Sequence, residues 1–128
     1  MLGSTDIVAF VPTKDGNQAR LFYEGVLGLR FVSDDGYALV FNANGIMIRV
    51  VKVRAFTPAQ YTILGWGVQG IEKIMTALKE KGVHFEHFGF SKQNDLGMWI
   101  APNGDKVAWF KDPDGNTLSI SEHDAWRA

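Results

Sequence analysis

Two stretches, Gly28-Leu29-Arg30-Phe31 and Gly82-Val83-His84-Phe85, share one pattern: a glycine, an apolar residue, a basic side chain or histidine, and a phenylalanine. Apolar residues recur at helical spacing before each glycine, over 19–27 in the first case and 71–78 in the second. A glycine in this position typically ends a helix in the left-handed conformation. The chain is therefore predicted to contain two modules of similar plan, each with a helix that leads into strands.

The first module begins with an apolar run that is rich in branched and aromatic residues, which favours a strand. Asp15 follows it as a predicted helix N-cap, with Gln18 three residues later at capping-box spacing. Turn residues separate the segments after the helix. The predicted strands of this module are Ile7–Pro12, Leu29–Ser33, Tyr37–Phe41 and Ile46–Val53.

The second module repeats this plan and closes on the turn Asp112-Pro113-Asp114-Gly115. Its predicted strands are Tyr61–Val68, Val83–Phe88, Met98–Ala101, Lys106–Lys111 and Thr117–Ser121. Strands joined by hairpins around a helix favour an α+β fold over a doubly wound sheet. We therefore predict two βαβββ modules that form paired half-barrels in one domain, 1–128, with module one at 6–53, a linker at 54–60 and module two at 61–122.

Composition excludes several classes of function. The 128 residues carry 13 Lys and Arg against 14 Asp and Glu, and this net charge of −1 provides no basic field for nucleic acid. The absence of cysteine excludes disulfides and thiolate metal sites. No stretch has the length and apolar character of a membrane span or of a signal peptide. The expected protein is soluble and cytoplasmic, without nucleic-acid or membrane partners.

Two motifs together make the layout resemble a known superfamily. The first is Asp15 with Phe22-Tyr23 and Val26-Leu27-Gly28-Leu29, and the second runs from Trp109 through Asp112-Pro113-Asp114-Gly115 to Leu118. This arrangement resembles the vicinal oxygen chelate superfamily, which includes glyoxalase I, fosfomycin and bleomycin resistance proteins, and extradiol dioxygenases. The resemblance extends from about Asp6 to Glu122 and implies a pocket enclosed by two cupped sheets.

The resemblance also implies four metal-ligand positions, and this chain departs from the pattern at all of them. The two first-strand positions hold Val8 and Ile63, and the two carboxylate positions hold Arg49 and Ser119. Valine and isoleucine offer no lone pair, and arginine is a fixed cation that opposes a metal ion. We therefore expect no metal and no other cofactor, and whether the protein is an enzyme stays open.

Other chemistry-bearing residues do not form a recognisable catalytic set in the sequence. His84 and His87 are three residues apart on a predicted strand, so their side chains are expected on opposite faces. His123 lies in the C-terminal tail. Neither Ser119 nor Ser121 has an evident base, and their spacing is also that of ordinary strand alternation. No catalytic residue is assigned from the sequence.

Strand alternation provides a prediction for the pocket lining, if the faces follow the register that the resemblance implies. The lining is then apolar and aromatic with a few cations and hydroxyls, as in many small-ligand sites. Core packing of the aromatic residues, and an outward, solvated Arg49, are the competing interpretations. An inward Arg49 requires an anionic ligand or a nearby carboxylate. The predicted ligand-binding residues are Phe10, Arg49, Gly65, Gly67, Trp99, Trp109, Lys111 and Ser119.

Two functions remain open at this stage. The first is a glyoxalase/bleomycin-resistance-like protein that binds a small organic and possibly anionic ligand in a metal-free pocket. The alternative is a superfamily enzyme of lyase, isomerase or dioxygenase type with an unidentified substrate. By the same resemblance we expect a C₂ homodimer in which the segment 121–128, with Trp126, contacts the partner. The glycine-bearing loop 89–97 is expected to act as a lid.

Overall fold

The computed structural model describes residues 1–89, 92–124 and 126, and its contacts divide the chain into two compact units, Met1–Pro58 and Ala59–Ala128. A short 3₁₀ helix, Leu2–Ser4, precedes the first strand. In the first unit, the helix Gly16–Arg20, α1, continues directly into a π-helical segment, Leu21–Val26. The elements of this unit are β1 (Val8–Thr13), α1 (Gly16–Arg20), β2 (Arg30–Asp34), β3 (Ala38–Ala43) and β4 (Ile46–Lys52).

The first unit is a four-stranded sheet in the order β1-β4-β3-β2, with β1 parallel to β4 and the other pairs antiparallel. Asp15 caps α1 as predicted, because its Oδ1 accepts from the N–H of Gln18 at 3.2 Å. The fully buried ring of Tyr23 packs 5.9 Å from that of Phe41, centroid to centroid. One sheet face, with Val11 and Val50, is therefore the core, and the other face stays partly exposed.

The second unit has the same topology, in the order β5-β8-β7-β6 with β5 parallel to β8. Its core is formed by Phe110, Leu118 and Ile120 on the sheet and by Ile71 and Met75 on the helix. The elements are β5 (Leu64–Gly67), α2 (Ile71–Glu80), β6 (Trp99–Ile100), β7 (Lys106–Lys111) and β8 (Thr117–Glu122). The α+β class and the repeated module are thus confirmed.

Both helix exits adopt the predicted conformation, since φ is 77° at Gly28 and 94° at Gly82. The start of α2 has a partner that the sequence did not reveal: Glu122 Oε1 accepts from the N–H of Ile71 at 2.9 Å. A carboxylate suits the first turn of a helix because unpaired N–H groups and the positive end of the dipole lie there. Glu122 therefore holds α2 against the end of β8.

The predicted strand Val83–Phe88 is wrong, because side chains replace the pairing that a strand would need. The N–H of Glu86 reaches the carbonyl of Trp109 in β7 at 2.8 Å, but the N–H of Phe88 donates to Gln93 Oε1 at 2.6 Å. Gln93 Nε2 in turn donates to the carbonyls of Glu86 and Gly97, at 2.9 and 2.6 Å. The side-chain amide of Gln93 thus joins the backbone of this segment, at Glu86 and Phe88, to the backbone at Gly97.

Other sequence expectations are met only in part or fall partly outside the described residues. The predicted strand Tyr61–Val68 begins only at Leu64, and β6 has two residues where four were expected. The expected lid, 89–97, and the expected dimer segment, 121–128, include residues 90, 91, 125, 127 and 128, which lie outside the described residues. Both roles therefore stay predictions. None of the helices in the described ranges has the length and apolar character needed to cross a bilayer.

Candidate functional site

The open face of the second sheet brings together most of the predicted lining residues of that unit. In the strand register Gly65 lies opposite Ser119, and Ser119 lies opposite Trp109. Two residues further along β5 and β8, Gly67 lies opposite Ser121. Val107 lies opposite Ser121 on β7, and Trp99 lies opposite Val107 on β6. The register therefore agrees with the prediction, made from the period-two alternation of strands, that these side chains share one face of the sheet.

An aromatic cluster covers this face. The rings of Trp99 and Trp109 lie 6.0 Å apart and are tilted by 31°, and Phe88 meets Trp109 edge to face at 5.4 Å. The indole N–H of Trp109 donates to Thr62 Oγ1 at 3.1 Å, which fixes the orientation of the ring. Edge-to-face and tilted contacts are the arrangements that aromatic quadrupoles prefer.

A cavity of about 320 Å³ opens beside this cluster, which is large enough for a small organic molecule. Tyr61 stands at this cavity with 73% of its surface exposed and so offers an uncovered ring. The lining residues are Gln60, Tyr61, Thr62, Phe88, Trp109 and Thr117. Of these residues the sequence indicated Trp109 but not Tyr61, Thr62 or Phe88, although Tyr61 and Thr62 are the first two residues of the predicted strand Tyr61–Val68.

The two glycines of β5 differ in the space they leave. A Cβ on Gly65 would lie 2.7 Å from Ser119 Oγ, so the buried serine hydroxyl fills that position. A Cβ on Gly67 would meet no atom within 4 Å. The open space that both glycines were expected to provide is therefore present at Gly67, next to Ser121.

Both predicted cations are paired with carboxylates of their own unit. Arg49 Nη2 lies 2.5 Å from Asp35 Oδ2, and Lys111 Nζ lies 3.7 Å from Glu86 Oε1. Phe10 is opposite Arg49 in the register and is 62% exposed. Asp35 therefore supplies the carboxylate that an arginine on this strand requires, and no anionic ligand is needed to balance its charge.

The ion pair of Arg49 has an expected effect on acid stability. The Arg49 guanidinium, followed by the N–H groups of Ala38 and Tyr37, lowers the pKa of Asp35 from 3.8 to about 2. Because the folded pKa lies below the unfolded one, the stabilisation is fully present above about pH 4 and is lost as pH falls towards about 2. Denaturant titrations of Asp35→Asn across this range should show a shallower acid-induced loss than the parent. Asp6→Asn, outside this ion pair, serves as the control, and equal slopes for Asp35→Asn and the parent would contradict the assignment.

A second cavity, of about 350 Å³, lies on the open face of the first unit. It includes Val8 and Met47 but neither Phe10 nor Arg49, so the structure does not bring these two predicted residues to it. Its remaining lining residues are Asp6, Ile7, Val32, Val40, Phe41, Asn42 and Gly45.

Comparison with solved structures identifies the fold. A lactoylglutathione lyase from Agrobacterium tumefaciens superimposes with a TM-score of 0.74 at 19% identity, covering 96% of each chain. A bleomycin resistance determinant encoded on transposon Tn5 gives 0.74 at 17% identity, covering 94% of this chain and 99% of that one. A member of the glyoxalase/bleomycin resistance protein/dioxygenase superfamily from Sphaerobacter thermophilus gives 0.73 at 21% identity, covering 94% and 98%.

These similarities identify the fold: the chain has the architecture of the glyoxalase/bleomycin resistance/dioxygenase structures. No protein-family model matches the sequence, and no curated protein sequence matches it either. At identities of 17–21% the likeness shows the architecture and leaves the chemistry to this chain's own residues.

The metal that this fold often carries does not fit the residues present. Val8 and Ile63 have no donor atom, Arg49 is a cation that already binds Asp35, and Ser119 offers one neutral hydroxyl. Zinc sites in proteins use three or four imidazole, carboxylate or thiolate ligands, and calcium sites use six to eight oxygen ligands, several of them carboxylates. Within 1–89, 92–124 and 126, no three His, Asp or Glu side chains converge in this way.

Proposed function

We propose that this protein binds a small organic molecule with a planar aromatic part on the open face of the second unit. The observation that carries the proposal is the cavity of about 320 Å³ whose wall is the oriented indole of Trp109. Aromatic faces bind flat apolar groups by burial and by offset or edge-to-face contact. The protein is in this respect a binding protein of the glyoxalase/bleomycin-resistance type.

Polar atoms at the same cavity support recognition of more than a hydrocarbon. Tyr61 and Gln60 line the cavity, and their phenol and amide groups can each donate and accept a hydrogen bond. Thr62 and Thr117 hold their positions through hydrogen bonds, to Trp109 and to the carbonyl of Ala59 respectively. A few placed polar groups in an apolar wall are typical of sites that select among small molecules.

An anionic ligand is not needed to explain the cations. An anion at Arg49 would compete with Asp35, and one at Lys111 would compete with Glu86. Since both pairs are partly exposed, each is worth little on its own and an anion could displace it only with good geometry. We therefore make the aromatic part of the ligand the primary determinant, and keep its charge as a question for the binding experiment.

Two matched fluorescent probes test the proposal: N-phenyl-1-naphthylamine, which is uncharged, and 1-anilinonaphthalene-8-sulfonate, which adds only a sulfonate. We expect both to bind with saturable fluorescence enhancement and with energy transfer from tryptophan. Trp109→Ala should weaken the uncharged probe by about tenfold, which corresponds to about 1.4 kcal/mol of lost aromatic contact.

Trp66→Phe provides the matched control, because Trp66 lies opposite the buried Ile120 and thus on the other face of the same sheet. Its affinity should stay within about twofold of the parent. Equal affinity of Trp109→Ala and the parent for the uncharged probe would exclude this pocket as the binding site. If only the probe with the sulfonate binds, the ligand site is an anion site, and Arg49 and Lys111 become its candidate residues.

A further inference from the structure

At the end of β8, three side chains form a connected chain of hydrogen bonds that the sequence did not reveal. His123 Nε2 lies 2.8 Å from Ser121 Oγ, and His123 Nδ1 lies 2.6 Å from Asp105 Oδ2. Ser121 and His123 are two residues apart along an extended segment, so they project on the same side. Asp105 reaches them from the turn before β7. The serine for which no base was found in the sequence thus has one.

The carboxylate determines which ring nitrogen carries the proton. An ionised carboxylate can only accept, so in the neutral imidazole the hydrogen is on Nδ1 and the lone pair on Nε2 faces Ser121. The His123 hydrogen bond, as the largest cause, lowers the pKa of Asp105 and so favours its ionised form. Asn103 adds a contact to the same Asp105 oxygen at 3.3 Å. Nε2 is therefore placed to accept the proton of the serine hydroxyl.

Space for a reacting group exists beside this serine. Gly67 is the register partner of Ser121 on β5, and a Cβ built on it meets no atom within 4 Å. Val107 is the partner on the other side and gives the face an apolar wall. Ser121 itself is half-buried, and the His123 and Asp105 side chains are 38% and 26% exposed. A small acyl group can thus approach Ser121 Oγ across Gly67.

We propose that Ser121 is a nucleophile that accepts an acyl group from activated carboxylic esters, such as aryl esters, with His123 as general base and Asp105 as the positioning residue. Ser121 Oγ forms the bond to the acyl carbon while its proton passes to His123 Nε2. The ester C–O bond then breaks, and the departing phenolate oxygen takes its electron pair and the proton from Nε2. Water, deprotonated by the same nitrogen, attacks the acyl-serine next. This releases the carboxylic acid and returns the proton to Ser121 Oγ.

The position of His123 beside Ser121 indicates how large the rate enhancement should be. A positioned general base contributes about 10²–10⁴-fold. The N–H of Val68, next to Gly67, already donates to the carbonyl of Ser121 at 2.8 Å, so it is not free to stabilise an oxyanion. This loss slows both steps, but acylation expels a good phenolate leaving group and hydrolysis of the acyl-serine must expel a serine alkoxide. We therefore expect acylation to be faster than the release of the acid, which makes the acyl-serine observable. This activity is independent of the aromatic pocket, because none of its three residues lines that cavity.

The test uses p-nitrophenyl acetate with the whole 128-residue chain. We expect a burst of p-nitrophenolate and one acetyl group, which peptide mass spectrometry places on Ser121. Ser121→Ala should lose both, and His123→Gln should lower the acetylation rate by about 10²–10⁴-fold. Ser33→Ala and His84→Gln are the matched controls and should behave as the parent does. Circular dichroism and thermal unfolding show whether each variant is folded.

The role of Asp105 needs a readout that folding alone would not change. The ¹⁵N chemical shifts of the His123 ring should show the hydrogen on Nδ1 in the parent and a mixture of tautomers in Asp105→Asn, with slower acetylation. Acetyl groups found on lysine or on the N-terminus but not on Ser121 would overturn the proposal. So would acetylation of Ser121 that proceeds equally fast in folded His123→Gln, since the serine would then react without its base.

Discussion

Phe110→Ala is expected to lower the free energy of unfolding by about 3–5 kcal/mol, the usual effect of removing a buried phenylalanine ring. Phe110 is fully buried on the helix-facing side of β7, opposite Leu118 in the register. Its ring also meets Phe85 edge to face at 5.8 Å. The substitution therefore removes a core side chain and the contact that holds the segment after α2 against the sheet.

Urea denaturation followed by tryptophan fluorescence and circular dichroism measures this loss. Phe10→Ala is the matched control: it removes the same ring from a position that is 62% exposed, and it should change stability by about 0.5 kcal/mol or less. A loss below about 1 kcal/mol for Phe110→Ala would show that the second unit can close around the missing ring.

Asp112→Ala should cost about 3 kcal/mol, because several donors lose a charged acceptor at once. Asp112 Oδ1 accepts from the N–H groups of Asp114 and Asn116, both at 2.9 Å, and Oδ2 accepts from Asn116 Nδ2 at 2.8 Å. Asn116 is 1% exposed, so water cannot replace the carboxylate there. Unsatisfied buried donors are the costly outcome of such a substitution.

Asp112→Asn provides a graded comparison for this turn. Its oxygen can still accept from the two backbone N–H groups, but its amide nitrogen would face the donor of Asn116. We expect an intermediate loss of about 1–2 kcal/mol, measured by the same urea titrations. Equal stability of Asp112→Ala and the parent would mean that the turn is held by its backbone and by Gly115 alone.

Local signals predicted much of the fold. The boundaries of β7, the cap at Asp15 and the left-handed glycines at 28 and 82 all follow from short-range patterns and are present in the structure. The strand predicted over 83–88 does not form, because the side chain of Gln93 binds the N–H of Phe88 and the carbonyl of Glu86, and no period-two pattern encodes such a side-chain partner. Propensity describes a segment, but pairing depends on what competes for its hydrogen bonds.

The sequence predicted which side chains of the site share a sheet face, but it did not predict which distant residues those side chains contact. Alternation grouped Gly65, Ser119 and Trp109 correctly, as the register shows. The partner of Arg49 is 14 residues away, the base of Ser121 is linked to a carboxylate 18 residues away, and Trp109 is oriented by Thr62 across 47 residues. Such contacts depend on how turns and strands bring distant residues together. The one local signal was the Ser-Glu-His spacing at 121–123, where two side chains share a face.

The strand order has a consequence for how the protein is made. In the described part of each unit the first strand pairs with the last, β1 with β4 and β5 with β8, so neither sheet can be completed until its final strand has left the ribosome. The hairpin partners β2, β3 and β4 can associate early, whereas β5 must wait for Thr117–Glu122 at the far end of its unit. Long-range parallel pairing of this kind is slow to form. The nascent chain should thus form the β1–β4 sheet first and hold Leu64–Gly67 unpaired until Thr117–Glu122 has been synthesised.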